Sequence, residues 1–141
     1  MSGGAGVEWL FGYAYPHDDI SLEDFRSRDH LWELTKFAVD FFHQHLPFPE
    51  MEVSDELTAS KDDYCLAKRG SVYAIYFPHA AASELELEAG QYQVRWYDPR
   101  HGGALRPGTI ERVAGPGKVS LGAPPRDSDR DWVCLVTRIA E

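Results

Sequence analysis

Residues 64–77, YCLAKRGSVYAIYF, place two apolar runs on either side of Lys68-Arg69-Gly70-Ser71. Apolar runs broken by a short polar stretch containing glycine specify a β-hairpin. The second arm, Val72 to Phe77, carries no charge and is rich in β-branched and aromatic side chains. Such an arm suits a strand covered on both faces or lying beneath another sheet, so it is expected at the centre of the fold.

Downstream the pattern repeats. Leu85 and Leu87 alternate with Glu84, Glu86 and Glu88, as in a strand with one wet face, and Ala89-Gly90 is expected to turn the chain. Tyr92, Val94 and Trp96 then share one side of a further strand, with Gln93, Arg95 and Tyr97 on the other, until Asp98-Pro99-Arg100-His101-Gly102-Gly103 breaks it. Weaker strands are expected over residues 109–113 and 118–121, around Gly115-Pro116-Gly117, and a last one over residues 132–138. Strands recurring at this spacing predict a mainly β fold, an antiparallel, immunoglobulin-like β-sandwich over residues 63–141. Alternation assigns Tyr64, Leu66, Val72, Ala74, Tyr76, Val94, Trp96, Val133 and Leu135 to its interior.

Residues 1–62 read differently. Val7 to Tyr13 is an extended apolar run containing one carboxylate, Glu8, and Tyr15 to Asp19 is a loop. Ser21 is placed to cap a short helix. From about Ser27 to His45, Leu31, Leu34, Thr35, Ala38, Phe41 and Phe42 recur at steps of three and four, opposite Glu33, Lys36 and Asp40. That is an amphipathic helix, ended by Pro47 and Pro49, whose apolar stripe must dock.

The chain has 141 residues, 43% hydrophobic, enough for one core and an appended element. Its formal charge of −9 is divided as −10 over residues 1–63 and +1 over residues 64–141. Neither part offers the basic face that displaces counterions from phosphates, which sets nucleic-acid binding aside. No apolar run is long enough for a membrane span, and the opening residues do not read as a signal peptide. Cys65 and Cys134 lie in apolar runs and read as buried thiols, a strand-linking disulfide being the alternative. No phosphate loop, Cys-x-x-Cys pair or serine nucleophile elbow is present, and Asp127 to Asp131 reads as a solvated acidic loop because Trp132 replaces the glycine of a calcium loop. No metal or cofactor is therefore expected.

The runs YCLAKRGSVYAIYFP, QYQVRWYDPRHGG and APPRDSDRDWVCLV resemble the collagen-binding domain found at the C-terminus of glycoside-hydrolase-like proteins with an apiosidase-like barrel. GGAGVEWLFGYAYPHDD and the helix DHLWELTKFAVDFFHQHLPFPEM resemble the last strand, loop and helix of that (β/α) barrel. The resemblance implies a secreted or cell-surface, carbohydrate-associated protein. A barrel needs eight strand–helix units, of which at most one is present, and glycoside cleavage needs two opposed carboxyl groups. Glu8 is the single catalytic candidate and has no identified partner. Two function classes follow. One is a non-catalytic accessory module binding a carbohydrate or an extracellular protein through Arg95, Tyr97, Arg100 and His101. The other is the C-terminal piece of a glycoside hydrolase, in which Glu8, Trp9 and Tyr13 line a site completed by another chain. The helix stripe from Leu31 to Phe42 would then seat either a second copy, in a homodimer, or a partner barrel.

Overall fold

The computed structural model describes residue 26 and residues 29–80 and 84–140. The expected Val7–Tyr13 strand, the cap at Ser21 and the site candidates Glu8, Trp9 and Tyr13 lie outside those residues. The described part comprises a helix, α1 (Asp29–His45), and six strands: β1 (Glu52–Val53), β2 (Tyr64–Lys68), β3 (Val72–Phe77), β4 (Glu84–Tyr97), β5 (Arg112–Ser120) and β6 (Trp132–Arg138). All strand pairs are antiparallel, in the order β1-β2-β3-β6-β4-β5.

The hairpin forms as its sequence requires. Lys68 pairs with Val72, Ser71 N–H donates to the Lys68 carbonyl at 3.0 Å, and Gly70 takes a positive φ of 72° that an L side chain resists. β3 is central, with β2 on one side and β6 on the other. β1 lies before residue 63 in sequence and pairs with β2, so the connector after the helix contributes to the sheet.

Hydrogen bonds run through one continuous sheet in place of the two sheets of the expected sandwich. The difference arises at two glycine sites. Ala89-Gly90 does not turn the chain; β4 passes through it for 14 residues, with a register shift between Leu87 and Gly90. Gly115-Pro116-Gly117 likewise lies inside β5, paired to β4 on both sides. At Gly115 an added Cβ would sit 2.0 Å from the Glu88 carbonyl oxygen, so glycine is needed for the two backbones to approach at the bulge. The bend brings the first half of β4 over the sheet, where Leu85 bridges to Thr58.

Both faces of the sheet are consequently buried, by different means. On one face Cys65, Tyr73, Ile75, Phe77, Val94, Trp96, Trp132 and Cys134 pack with Leu85 and Leu87 from the folded-over half of β4. On the other, Leu66, Ala74, Tyr97, Val133 and Leu135 pack beneath Phe41 and Leu46 of the helix region and Met51. The expected interior set is therefore divided: Val94 and Trp96 belong to the first face, Leu66, Ala74, Val133 and Leu135 to the second, and Tyr64 is 42% exposed. Cys65 and Cys134 are free thiols, paired on opposite sides of Ile75, and burial pushes the Cys65 thiol up to about 12.

The helix docks on its own sheet. Phe41 is its buried residue, Phe37 and Phe42 flank it, and the Phe41 ring lies 4.8 Å from that of Tyr97. Leu31 and Leu34 are half-buried and Ala38 is exposed. No helix among the described residues is long and apolar enough to cross a membrane.

Candidate functional site

The loop after β4 is organised around one carboxylate. Asp98 has a side chain with no solvent exposure, and its own carbonyl accepts from Gly102 N–H at 2.9 Å to close the turn. Its Oδ1 accepts from the Arg100 N–H at 3.1 Å and Arg100 Nε at 3.0 Å. Its Oδ2 accepts from His101 Nδ1 at 2.9 Å and Arg126 Nη2 at 3.2 Å. Burial alone would raise the Asp98 pKa, but the hydrogen bonds from His101, Arg100 and Arg126 outweigh it and hold the carboxyl at about 2. The sequence Asp-Pro-Arg-His suits this loop because the aspartate sits two residues before one donor and three before another.

Arg100 carries the network outward. Its Nε also lies 3.4 Å from Asp131 Oδ1, and its guanidinium sits 5.5 Å from the Trp132 ring centroid. Asp131 Oδ2 then accepts from the Tyr76 hydroxyl at 3.3 Å. Burial, followed by the Asp131 charge, raises the Tyr76 pKa. Tyr76 is the register partner of Tyr64, their rings 6.3 Å apart and inclined at 40°. A buried carboxylate thus braces an arginine, which braces a second carboxylate beside two tyrosines on the helix-bearing face.

Between the helix and this loop lies a cleft of about 380 Å³, lined by Phe37, Asp40, Gln44, His45, Tyr97 and Gly103 among others. Gly102, next to the lining residue Gly103, lies against the Phe37 ring. Its φ is +65°, and an added Cβ would lie 2.5 Å from Phe37 Cδ1.

The expected binding residues do not form one surface. Arg100 and His101 meet at Asp98, whereas Arg95 Nη1 is paired with Glu111 Oε2 at 2.5 Å. Tyr97 is not an exposed stacking ring: it is 3% exposed, and its hydroxyl donates to the Phe37 carbonyl at 2.9 Å. It lies on the face opposite Trp96, as alternation requires, but the helix covers that face too. Tyr64, which alternation assigns to the interior, is an exposed aromatic on the same face, as Trp32 and Phe48 are elsewhere. In a strand apolar on both faces, alternation does not say which positions a neighbouring element leaves bare. Among the described residues no group of three or more His, Cys, Asp and Glu side chains converges to hold a metal ion.

The sequence model of the family described as "Putative collagen-binding domain of a collagenase" matches residues 48–137, nearly all of the sheet and both sides of the Asp98 loop. The chain belongs to this family. Its members' shared segment begins ahead of β1, so the connector between helix and hairpin falls within the collagen-binding-domain match. A search of curated proteins returns no match. Among solved structures, one called a glycoside hydrolase is similar over 92% of this chain, with a TM-score of 0.65 and 15% identity. A glycoside hydrolase family 5 protein from Bacteroides vulgatus is similar over 91%, with a TM-score of 0.65 and 13% identity. The chain spans 30% and 29% of those two proteins. At such identities the likeness is one of fold.

Proposed function

We propose that this chain is a non-catalytic accessory module of a glycoside-hydrolase-like protein, acting outside the cell by binding a carbohydrate or an extracellular protein. The observation that carries the reading is the extent of the structural likeness: the chain corresponds to under a third of each of those two glycoside hydrolases. The binding-domain family match over residues 48–137 supports a ligand-holding role for the sheet. The Asp98 network also fits such a role, because its carboxylates are committed to arginine and tyrosine rather than set opposite each other across an open site, as glycoside cleavage requires.

Incubating the purified chain with aryl glycosides and plant-wall oligosaccharides is expected to give no turnover, while a glycan array and a collagen pull-down give binding to one of the two ligand types. Turnover that disappears in Glu8→Gln would overturn the accessory role.

A second reading, the C-terminal piece of an enzyme completed by another chain, is favoured by the outer side of α1. Val39, two residues from Phe41 and so on the far side of the helix, is 45% exposed, and Phe48 just beyond is 41% exposed. This side would seat a barrel or, in a homodimer, a second copy. Sedimentation of the chain alone and mixed with a glycoside hydrolase barrel separates the two, and a monomer in both experiments removes this reading.

A further inference from the structure

We infer that Tyr64 and Tyr76, with Asp131 at the Tyr76 hydroxyl, form a platform on which a pyranose ring of a neutral polysaccharide stacks. The inference rests on the accessory role and names the ligand class and the residues that hold it. Four observations carry it.

Tyr64 is 42% exposed although it lies in a strand whose next three residues are buried. The helix covers the middle of this face and stops short of it, and β1 pairs only with Leu66 and Ala67, leaving Tyr64 beyond its end. Val53 shares the face as the partner of Leu66 and is 49% exposed, so it extends the bare apolar surface beside the tyrosine.

The two rings are held in place. They are register partners on adjacent strands of the sheet, and Tyr76 is fixed a second time by its hydroxyl on Asp131. A platform already rigid before binding loses little side-chain freedom when a ligand arrives.

Polar groups at the platform edge come as a balanced set. Asp131 accepts from Tyr76 and is paired with Arg100, which Asp98 holds from behind. The Tyr76 oxygen keeps lone pairs free to accept, and Asp131 keeps acceptor capacity, so the edge accepts hydrogen bonds from adjacent hydroxyls, and with Arg126 also on Asp98 the two carboxylates are matched by two guanidinium groups. A sugar ring offers that combination: an apolar face of C–H groups for the aromatic rings and hydroxyls on its rim.

Charge selects among sugars. Asp62 and Asp63 directly precede Tyr64, and these carboxylates beside the platform disfavour an acidic polysaccharide and leave a neutral one. A lysine or arginine ligand would find Asp131 already paired.

The test is affinity electrophoresis and titration calorimetry of the full chain against neutral plant-wall polysaccharides, an acidic pectin and a triple-helical collagen peptide. Tyr64→Ala is expected to weaken neutral polysaccharide binding on the order of tenfold or more, and Tyr64→Phe to retain it. Tyr76→Phe, which keeps the ring and removes the hydroxyl, is expected to cost roughly fivefold. Chemical denaturation of each variant establishes that the fold is kept. Polysaccharide binding that is unchanged in a folded Tyr64→Ala variant overturns the platform while leaving the accessory role standing. Binding of the collagen peptide but no polysaccharide, with loss in Tyr64→Ala, overturns the sugar assignment. Glycoside turnover by the chain overturns the accessory role itself.

Discussion

The two faces of the sheet are built from the same strands and differ in what covers them. One face is closed by the sheet itself, because β4 bends at its bulge and returns Leu85 and Leu87 over Tyr73 and Ile75. The other is covered by a separate element, α1, through Phe41 and its neighbours, and the cover is incomplete. A face closed by its own strands buries Trp96, Trp132 and Tyr73 completely, whereas a face closed by a lid leaves Tyr64 at 42% exposure. In the proposed reading the difference separates stability from function: the self-closed face holds the fold together, and the bare end of the lidded face is where a ligand would sit.

The contrast is broken most severely at Trp96. It has no exposure, and its Nε1 has no hydrogen-bond partner and lies against Gly108, where an added Cβ would be 2.3 Å away. Trp96→Ala is expected to cost about 3–5 kcal/mol in chemical denaturation, the range for emptying a buried aromatic site. A cost under about 1 kcal/mol, the scale of an exposed substitution, would mean that this face is not the core.

Next comes Asp98, which links the end of β4 to the lidded face. Its carboxyl is held at about 2 against an ordinary value of 3.8, worth about 2–3 kcal/mol at 1.36 kcal/mol per unit. The folded form has the depressed pKa, so this stability is present in full above pH 4 or so and is lost as pH falls towards 2. Unfolding midpoints measured between pH 7 and pH 2 should therefore fall on the acid side for the native chain. In Asp98→Asn they should begin lower and fall less.

Much of this was legible in the sequence. The YCLAKRGSVYAIYF hairpin, the amphipathic helix to His45 and the Leu85/Leu87 alternation all appear where their periodicities put them. Each depends on neighbours a few residues away. What was not legible depends on partners far along the chain. Gly90 and Gly115 look like turns in a linear reading, and only the approach of Gly115 to the Glu88 carbonyl makes them a bulge in a pair of long strands. Reading each as a strand end multiplied the strands and suggested two sheets. Tyr97 and Tyr64 were misplaced for a related reason: alternation holds within each strand but does not relate one strand's faces to another's, so Tyr64 is expected inward and Tyr97 outward although both lie on the helix-bearing face, and where the helix ends on that face is a tertiary fact. Arg100 and His101 were found as a pair, whereas the residue that unites them, Asp98, was seen only as a strand breaker.

A smaller effect is expected where lid and loop meet. Gly102 combines a φ of +65° with a Phe37 ring so close that any side chain displaces it. Gly102→Ala is expected to cost about 1–2 kcal/mol from the left-handed backbone alone, with a further loss as Phe37 moves. Adding Phe37→Ala removes the collision but not the backbone cost. The double variant should therefore lose less than the two single losses combined. Simple additivity would place Phe37 away from the loop.

The smallest effect is expected at Tyr64, and its smallness is informative. The ring lies at the open end of the lidded face and touches one ring neighbour, Tyr76, at a centroid distance of 6.3 Å. Its hydroxyl has no role in the Asp98–Arg100–Asp131 network, which ends at Tyr76. Tyr64→Ala should then change stability by no more than about 0.5 kcal/mol, as for surface substitutions away from special features. Tyr76→Ala, which removes a half-buried ring and the hydroxyl that donates to Asp131 Oδ2, should cost more. A large aromatic side chain that contributes little to folding yet lies braced against a fixed partner has a different use from Trp96. If Tyr64→Ala instead lowers stability as far as Tyr76→Ala does, Tyr64 belongs to the core of the lidded face, and that face has no surface left over for a ligand.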